Sequence, residues 1–408
     1  MLPCLMSNLT SHSIEVTSGD GETIKEAIEA LHERNPLVEG VYGGQGIATS
    51  GPRYVEGGGV IVLKDQNVFE LGPSLKLPPR TRLLVCNTEI RSMEANPAIE
   101  AVSGGIFSRN NIEVIGIGGA RLNGNGVGTI GAYLPLAQYF RLDDLVIDNF
   151  VEDGVVFEQA QHSSSFRGVR SFGNGGWGVR LSNHAPTAAT FGNNDIHADS
   201  VFAQYNAKGG VLIESSANTT WTDLRTQFHD TVGFRIQPKN GGVYSTTLTG
   251  GHREGNRHHF EVLNGTSRPA NTTIRGGATI PDDGQGTGSG TISIPVERFL
   301  VNEGWNTVLD CDGSFNGPGV FALHPTTGGG LSNAMCEQNS QQGSLHIRDR
   351  MTHRAGPNRV PYCCREDGTN YPEGTAPNAT FALSAIGRSD AGAPFPSGAY
   401  FGPNQPNE

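Results

Sequence analysis

Between Leu145 and Val262 the chain repeats one short phrase, a glycine followed by an apolar, a variable and an apolar residue: "GVVF", "GVRL", "GVLI", "GFRI". Nine residues before each glycine stands an apolar anchor: Leu145 before Gly154, Val169 before Gly178, Val201 before Gly210 and Leu224 before Gly233. In the fifth copy Leu248 precedes His259 by eleven, so the register loosens there. The copies begin 24, 32, 23 and 26 residues apart. A two-strand unit recurring at this period marks a solenoid, because each unit must stack on the next to bury its apolar side. Within each copy, strand alternation points Val155 and Phe157, Val179 and Leu181, Val211 and Ile213, and Phe234 and Ile236 inward. Val156, Arg180, Leu212, Arg235 and Glu261 then face outward, as do Val146, Arg170, Phe202, Arg225 and Thr249 on the upstream strand. Strand, turn, strand, turn with a continuous apolar interior is a parallel β-helix, with coils about 4.8 Å apart. A β-sandwich does not need such in-register repeats.

The first coil of a solenoid exposes an apolar end and needs a cap. "GDGETIKEAIEALHERNP" supplies a helix over 23–34, with Thr23 and Glu26 as a capping box and an apolar stripe of Ile24, Ala27, Ile28 and Leu31. The expected organisation is an N-terminal arm over 1–17, a β-helix over 18–280, and last coils plus an irregular β tail over 281–408. "PDDGQGTGSG" reads as the joint before that tail. Glycine (57) and proline (23) are abundant, and charged residues make up only 17%, which suits short strands and turns better than helices.

"GDGETIKEAIEAL" followed by "GGVIVLKDQNVFELGPSLKLPPRTRLLV" resembles the start of pectate-lyase-superfamily right-handed β-helix proteins. "IGIGGARLNGNGVG" at 115–128 resembles the glycine-rich coil of polygalacturonases, with Asn123 where an aspartate is usual. The resemblance covers 18–130 by motif and 131–280 by coil architecture. It implies an all-β, right-handed parallel β-helix with an N-terminal capping helix. That beginning occurs in polysaccharide lyases, hydrolases, epimerases and viral tailspikes, so activity must be read from side chains.

Net charge is −11, which argues against nucleic-acid binding. No apolar run reaches membrane-spanning length, so no membrane insertion is expected. "MLPCLMSNLTSHS" lacks the features of a secretory signal, which predicts a processed form or release by a route other than secretion. Five lysines against 24 arginines, with surplus acid, fit either a high-salt (halophilic) setting or a GC-rich genome. Cys86 within "RLLVCNTEI" reads as a buried small hydrophobe, and Cys336 could pair with Cys363 or Cys364. Asn8, Asn218, Asn264, Asn271 and Asn378 head glycosylation sequons.

Candidate chemistry lies in the outward columns. For glycan binding the sequence offers Arg170, Arg180, Arg235 and Phe202, since guanidinium forks hold acidic sugars and rings stack on their apolar faces. Trp177, between glycines in a turn, is either a sugar platform or a half-buried anchor; Trp221 is either buried or displayed. For catalysis "QFHDTVG" and "GGHREGNRHH" are richest. Counted from the strand starts, Asp230 and Glu254 occupy matching turn positions on adjacent coils, close enough to share a proton or bind a cation, with His252 nearby. Asp223 with Arg225 is the nearest approach to a calcium-dependent lyase pair; Ca2+ is the one cofactor considered. Asp195, His197 and Asp199 in "NNDIHADS" could serve as acid, base or ligand, or as a loop and strand entry. Ion pairs on a solvated face are the plainer account of these columns.

Two function classes follow. One is a virion spike or tail-fibre protein, trimeric and extracellular, that binds a host surface polysaccharide beside other virion proteins. The other is an enzyme, a lyase, hydrolase or epimerase of an acidic polysaccharide. A purely architectural spacer is the third alternative.

Overall fold

The computed structural model describes residues 12–39, 54–102, 111–135, 138–158, 163–182, 193–267 and 269–280, with separate strand stretches from 298 onward. The chain divides into two compact units, Met1–Gly176 and Trp177–Glu408. Each coil holds three strands rather than the two read from the sequence. In the first unit one full coil is Arg141–Asp143, Val146–Asp148 and Val155–Glu158, and each strand pairs in parallel with its counterpart on neighbouring coils. In the second unit Thr219–Thr222, Arg225–Gln227 and Val232–Ile236 form the corresponding coil. Each unit thus presents a first, second and third sheet, and the architecture is a right-handed parallel β-helix.

The strand missed from sequence is the polar first one, as in "IHAD", "TTWT" and "YSTTLT". Its alternation is intact, but outward threonines mask the apolar rhythm. Inward residues include Ile196, Trp221, Leu248 and Ile274, all at 0–1% exposure. The inward assignments of Val155, Phe157, Val179, Leu181, Val211, Ile213, Phe234 and Ile236 hold, since all are buried. Aromatic stacking continues the core, with Trp221 edge-on to Phe234 at 5.6 Å and Phe234 at 6.4 Å from Phe260. Burying Trp, Phe and Leu side chains coil after coil contributes about 1.5–3 kcal/mol each, which offsets the ordering of a glycine-rich chain.

The capping helix runs Gly21–Arg34, and its N-cap is Asp20. The capping box is Asp20 with Thr23, not Thr23 with Glu26: the Thr23 amide donates to Asp20 Oδ1 at 3.1 Å, and the Asp20 amide donates to Thr23 Oγ1 at 3.3 Å. With Asp20 accepting from the amide three residues on, the helix starts at Gly21, two residues earlier than expected. Ile24, Ala27, Ile28 and Leu31 are buried as expected. Ser13–Val16, within the segment read as an arm, pairs in parallel with Val60–Leu63. Past residue 280, Thr307–Cys311 pairs with Thr273–Arg275 and with Ser344–Asp349, so parallel pairing continues there. Cys86 is buried; the thiols of Cys336, Cys363 and Cys364, and the joint at 281–290, lie outside the described residues, as do Asn8 and Asn378. Among the described residues no helix is long and apolar enough to cross a membrane.

Candidate functional site

The second unit's third sheet carries a half-buried charged row. Register aligns Arg180, Leu212, Arg235 and Glu261 on successive coils. Arg180 forks onto Glu214, with Nε donating to Oε2 at 2.9 Å and Nη2 to Oε1 at 3.1 Å. Two coils on, Arg235 Nε donates to Glu261 Oε2 at 2.5 Å, and His258 Nδ1 shares a 2.5 Å hydrogen bond with Glu261 Oε1. An ionised carboxylate only accepts, so His258 Nδ1 is the donor in that bond. Burial alone would raise the Glu261 carboxyl, but the His258 hydrogen bond and the Arg235 guanidinium outweigh it and hold the group below the usual range. Glu261 is therefore ionised and not a proton donor at neutral pH.

Trp177 sits behind this row. Its ring lies over Gly209, where a β-carbon would come within 2.4 Å of Cζ3, and it packs with Leu212 and Val232. The Arg235 guanidinium carbon is 5.4 Å from the Trp177 ring centroid, a cation–π contact that fixes the fork. At 5% exposure Trp177 is an anchor, not an open platform. Leu212, read as outward, is buried under this ring at 6%; Val156 is likewise buried at 3%. Trp221 is wholly interior at 0% and touches no surface ligand, which removes it from the glycan-binding set.

The second sheet carries the other residues singled out from sequence. Phe202, Arg225 and His252 align in one column, and Gln227 and Glu254 in the next. Thr249 therefore does not belong to the Phe202 column; it pairs with Thr222 on the first sheet. Glu254 Oε2 accepts from Gln227 at 2.9 Å and lies 3.1 Å from His252 Nε2. Arg225 and Asp223 meet at 3.0 Å with 54% and 38% of their side chains exposed, an ion pair worth little. Asp230 and Glu254 do not face each other. Glu254 is opposite Gln227, three residues before Asp230, while the backbone around Asp230 bonds to Arg257 and His258. The sequence count failed because Leu248 pairs with Trp221, not with Leu224. Arg170 is exposed in the first unit, paired with Val146 in register. His197 and Asp199 are exposed on the first sheet, in register with Thr220 and Thr222.

His229 and His259, from the segments richest in candidate chemistry, are fully buried. Glu214 is the residue that sequence reading missed. It lies one position past the repeating triplet, and its signal was an acid directly after "GVLI". Among the described residues no three His, Cys, Asp or Glu side chains converge on one point.

No protein-family model and no curated protein matches the chain. Solved structures do. A DFA-IIIase from Arthrobacter chlorophenolicus A6, in complex with GF2, aligns over 97% of this chain and 99% of its own at 11% identity, TM-score 0.56. ORF18 of Geobacillus virus E2 aligns over 96% of this chain at 13% identity, TM-score 0.51, and the chain spans 63% of that protein's length. A hyperthermoactive exopolygalacturonase from Thermotoga maritima aligns over 97% of this chain and 95% of its own at 11% identity, TM-score 0.50. At these identities the likeness is one of fold: the chain is a right-handed parallel β-helix, the fold that its resemblance to the pectate-lyase superfamily implied.

Proposed function

We propose that this chain recognises a polysaccharide along the third-sheet face of its second unit, in the manner of a spike displayed on a virion surface. The observation that carries the reading is the row Arg180–Glu214 and Arg235–Glu261–His258, backed by Trp177. Solvated ion pairs contribute little and are not built this way. Here two guanidinium forks are oriented by carboxylates and a ring before any ligand arrives, and such preorganisation lowers the cost of binding a flexible chain. Forks two coils apart, each beside an acidic acceptor, suit a polymer bearing hydroxyl and carboxylate groups. A trimer with other virion proteins as neighbours is the assembly this reading expects.

The test is retention on an array of acidic and neutral polysaccharides, followed by titration. Arg235→Lys, which keeps charge but loses the fork, is expected to weaken binding of an acidic glycan at least tenfold with an unchanged melting temperature. Equal binding by Arg235→Lys and Arg180→Lys would remove this face from recognition. The His258–Glu261 hydrogen bond favours a second reading, proton transfer on a uronic-acid polymer. Incubation with such polymers, with and without calcium, would then yield unsaturated or new reducing ends; no turnover across the panel leaves binding alone.

A further inference from the structure

The first unit holds an open-sided depression of about 450 Å³, lined by Asn123, Asn125, Gly126, Asn149, Phe150, Val151 and Gly173. That volume lies within the roughly 300–1,000 Å³ usual for small-molecule sites. None of the lining side chains ionises. Asn123 is nearly buried and its Oδ1 accepts from the Asn125 amide at 2.8 Å and from Asn149 Nδ2 at 3.5 Å, which sets the other two asparagines around the rim. Asn125 and Asn149 are exposed, and Val151 is 52% exposed, so amides and one apolar surface meet solvent together. The charges beside them are already matched. Arg121 holds Asp148 at 2.8 and 2.5 Å and reaches Glu89 at 3.4 Å, Arg91 holds Glu89 at 2.7 Å, and Asn123 Nδ2 donates to Glu89 at 3.0 Å. Those two arginines and two acids are paired with one another rather than turned into the depression.

The turn also leaves this space open. Gly173 has φ +65°, and a β-carbon there would meet nothing nearer than Asn149 Oδ1 at 3.7 Å. The residues that follow the second strand at the same turn position in the second unit are Tyr205 and Phe228, with φ of +53° and +56°. A large side chain is therefore compatible with this turn, and at 173 the chain carries none.

We infer that this depression is a binding site for a neutral sugar residue, whose hydroxyls would pair with the Asn125 and Asn149 amides and whose apolar face would lie on Val151. It is separate from the charged face of the second unit and does not depend on it. The chemistry selects a neutral saccharide because an amide both donates and accepts, and no side chain lining the depression carries a charge to meet a uronate.

Titration of the full chain with a panel of neutral gluco-, galacto- and manno-oligosaccharides, followed by ligand-observed NMR, tests this. Gly173→Tyr, filling the depression with a side chain that a sister turn already holds, is expected to cut neutral-sugar affinity at least tenfold at an unchanged melting temperature. Should that variant melt lower, Asn149→Gly, which keeps the φ of +58° and removes only the amide, is expected to weaken binding severalfold. Arg235→Lys is expected to leave neutral-sugar affinity as it was. Full affinity in a stable Gly173→Tyr or Asn149→Gly protein, or no neutral oligosaccharide bound by the unaltered chain, overturns the proposal. Loss in Arg235→Lys alone would assign the sugar to the other face.

Discussion

His229 shows what a single position asks of its side chain. Second-unit turns place an asparagine after the left-handed residue, at 206 and 256, and Asn256 Nδ2 donates to the Thr226 carbonyl on the preceding coil at 2.9 Å. His229 takes the same place. Its Nε2 lies 3.2 Å from the Ala203 carbonyl and its Nδ1 3.2 Å from the Asn206 carbonyl. Burial, only partly opposed by those carbonyls, lowers its pKa from 6.5 to about 4; His259, also buried and facing Arg253, falls to about 3. Between pH 6.5 and about 4 the unfolded chain therefore binds a proton at 229 that the folded chain refuses. Stability from this group is complete above pH 6.5 and is lost as pH falls towards 4, by up to about 3 kcal/mol. His229→Asn, which restores the residue used by neighbouring turns, is expected to shrink the drop in melting temperature between pH 7 and pH 5. An unchanged drop would mean that His229 is not a source of acid lability. None of this was legible in "QFHDTVG", where a histidine beside an aspartate reads as chemistry; the inward direction is set by a left-handed φ at Phe228 that the sequence does not display.

Among elements, the strands whose inward residues are apolar and whose outward residues vary were legible, and register was not. Register depends on turn length, and one-residue differences move side chains between sites. In the fifth copy Gly250 and Gly251 occupy the places of Asp223 and Leu224, so an alignment on apolar anchors slid Leu248 by three residues and manufactured the Asp230–Glu254 pair. The two glycines do different work. Gly250 has φ +71°, and a β-carbon would meet only the Asp223 nitrogen at 4.0 Å. Gly251 has φ +91°, and a β-carbon would fall 2.0 Å from the Leu224 carbonyl oxygen and under 3 Å from two further backbone atoms. Gly251→Ala is expected to lower stability by about 3 kcal/mol or more, because the strand ladder itself must move. Gly250→Asn is expected to change it by less than about 1 kcal/mol, since asparagine tolerates a left-handed turn. Denaturant midpoints of the two variants compare them directly; equal losses would show that φ, not the coil contact, decides both positions.

At the scale of the whole molecule, charge separates the two proposed sites. The chain carries a net −11, and an acidic polysaccharide approaching it meets repulsion before it meets Arg180 and Arg235. The Debye length falls from about 30 Å at 0.01 M salt to about 10 Å at 0.1 M, so added salt screens the long-range field first and the close ion contacts last. Association of an acidic glycan is therefore expected to quicken severalfold over that range while its dissociation also quickens. A neutral oligosaccharide entering the Asn149 depression has no charge for that field to act on, and its rates are expected to stay level. Surface-plasmon measurements on one immobilised chain, with the two ligand classes run across the same salt series, distinguish these behaviours. An acidic-glycan association rate that falls steadily with salt would mean that the local arginine field outweighs the total charge. A neutral-sugar rate that follows the acidic one would place both ligands on the same charged face.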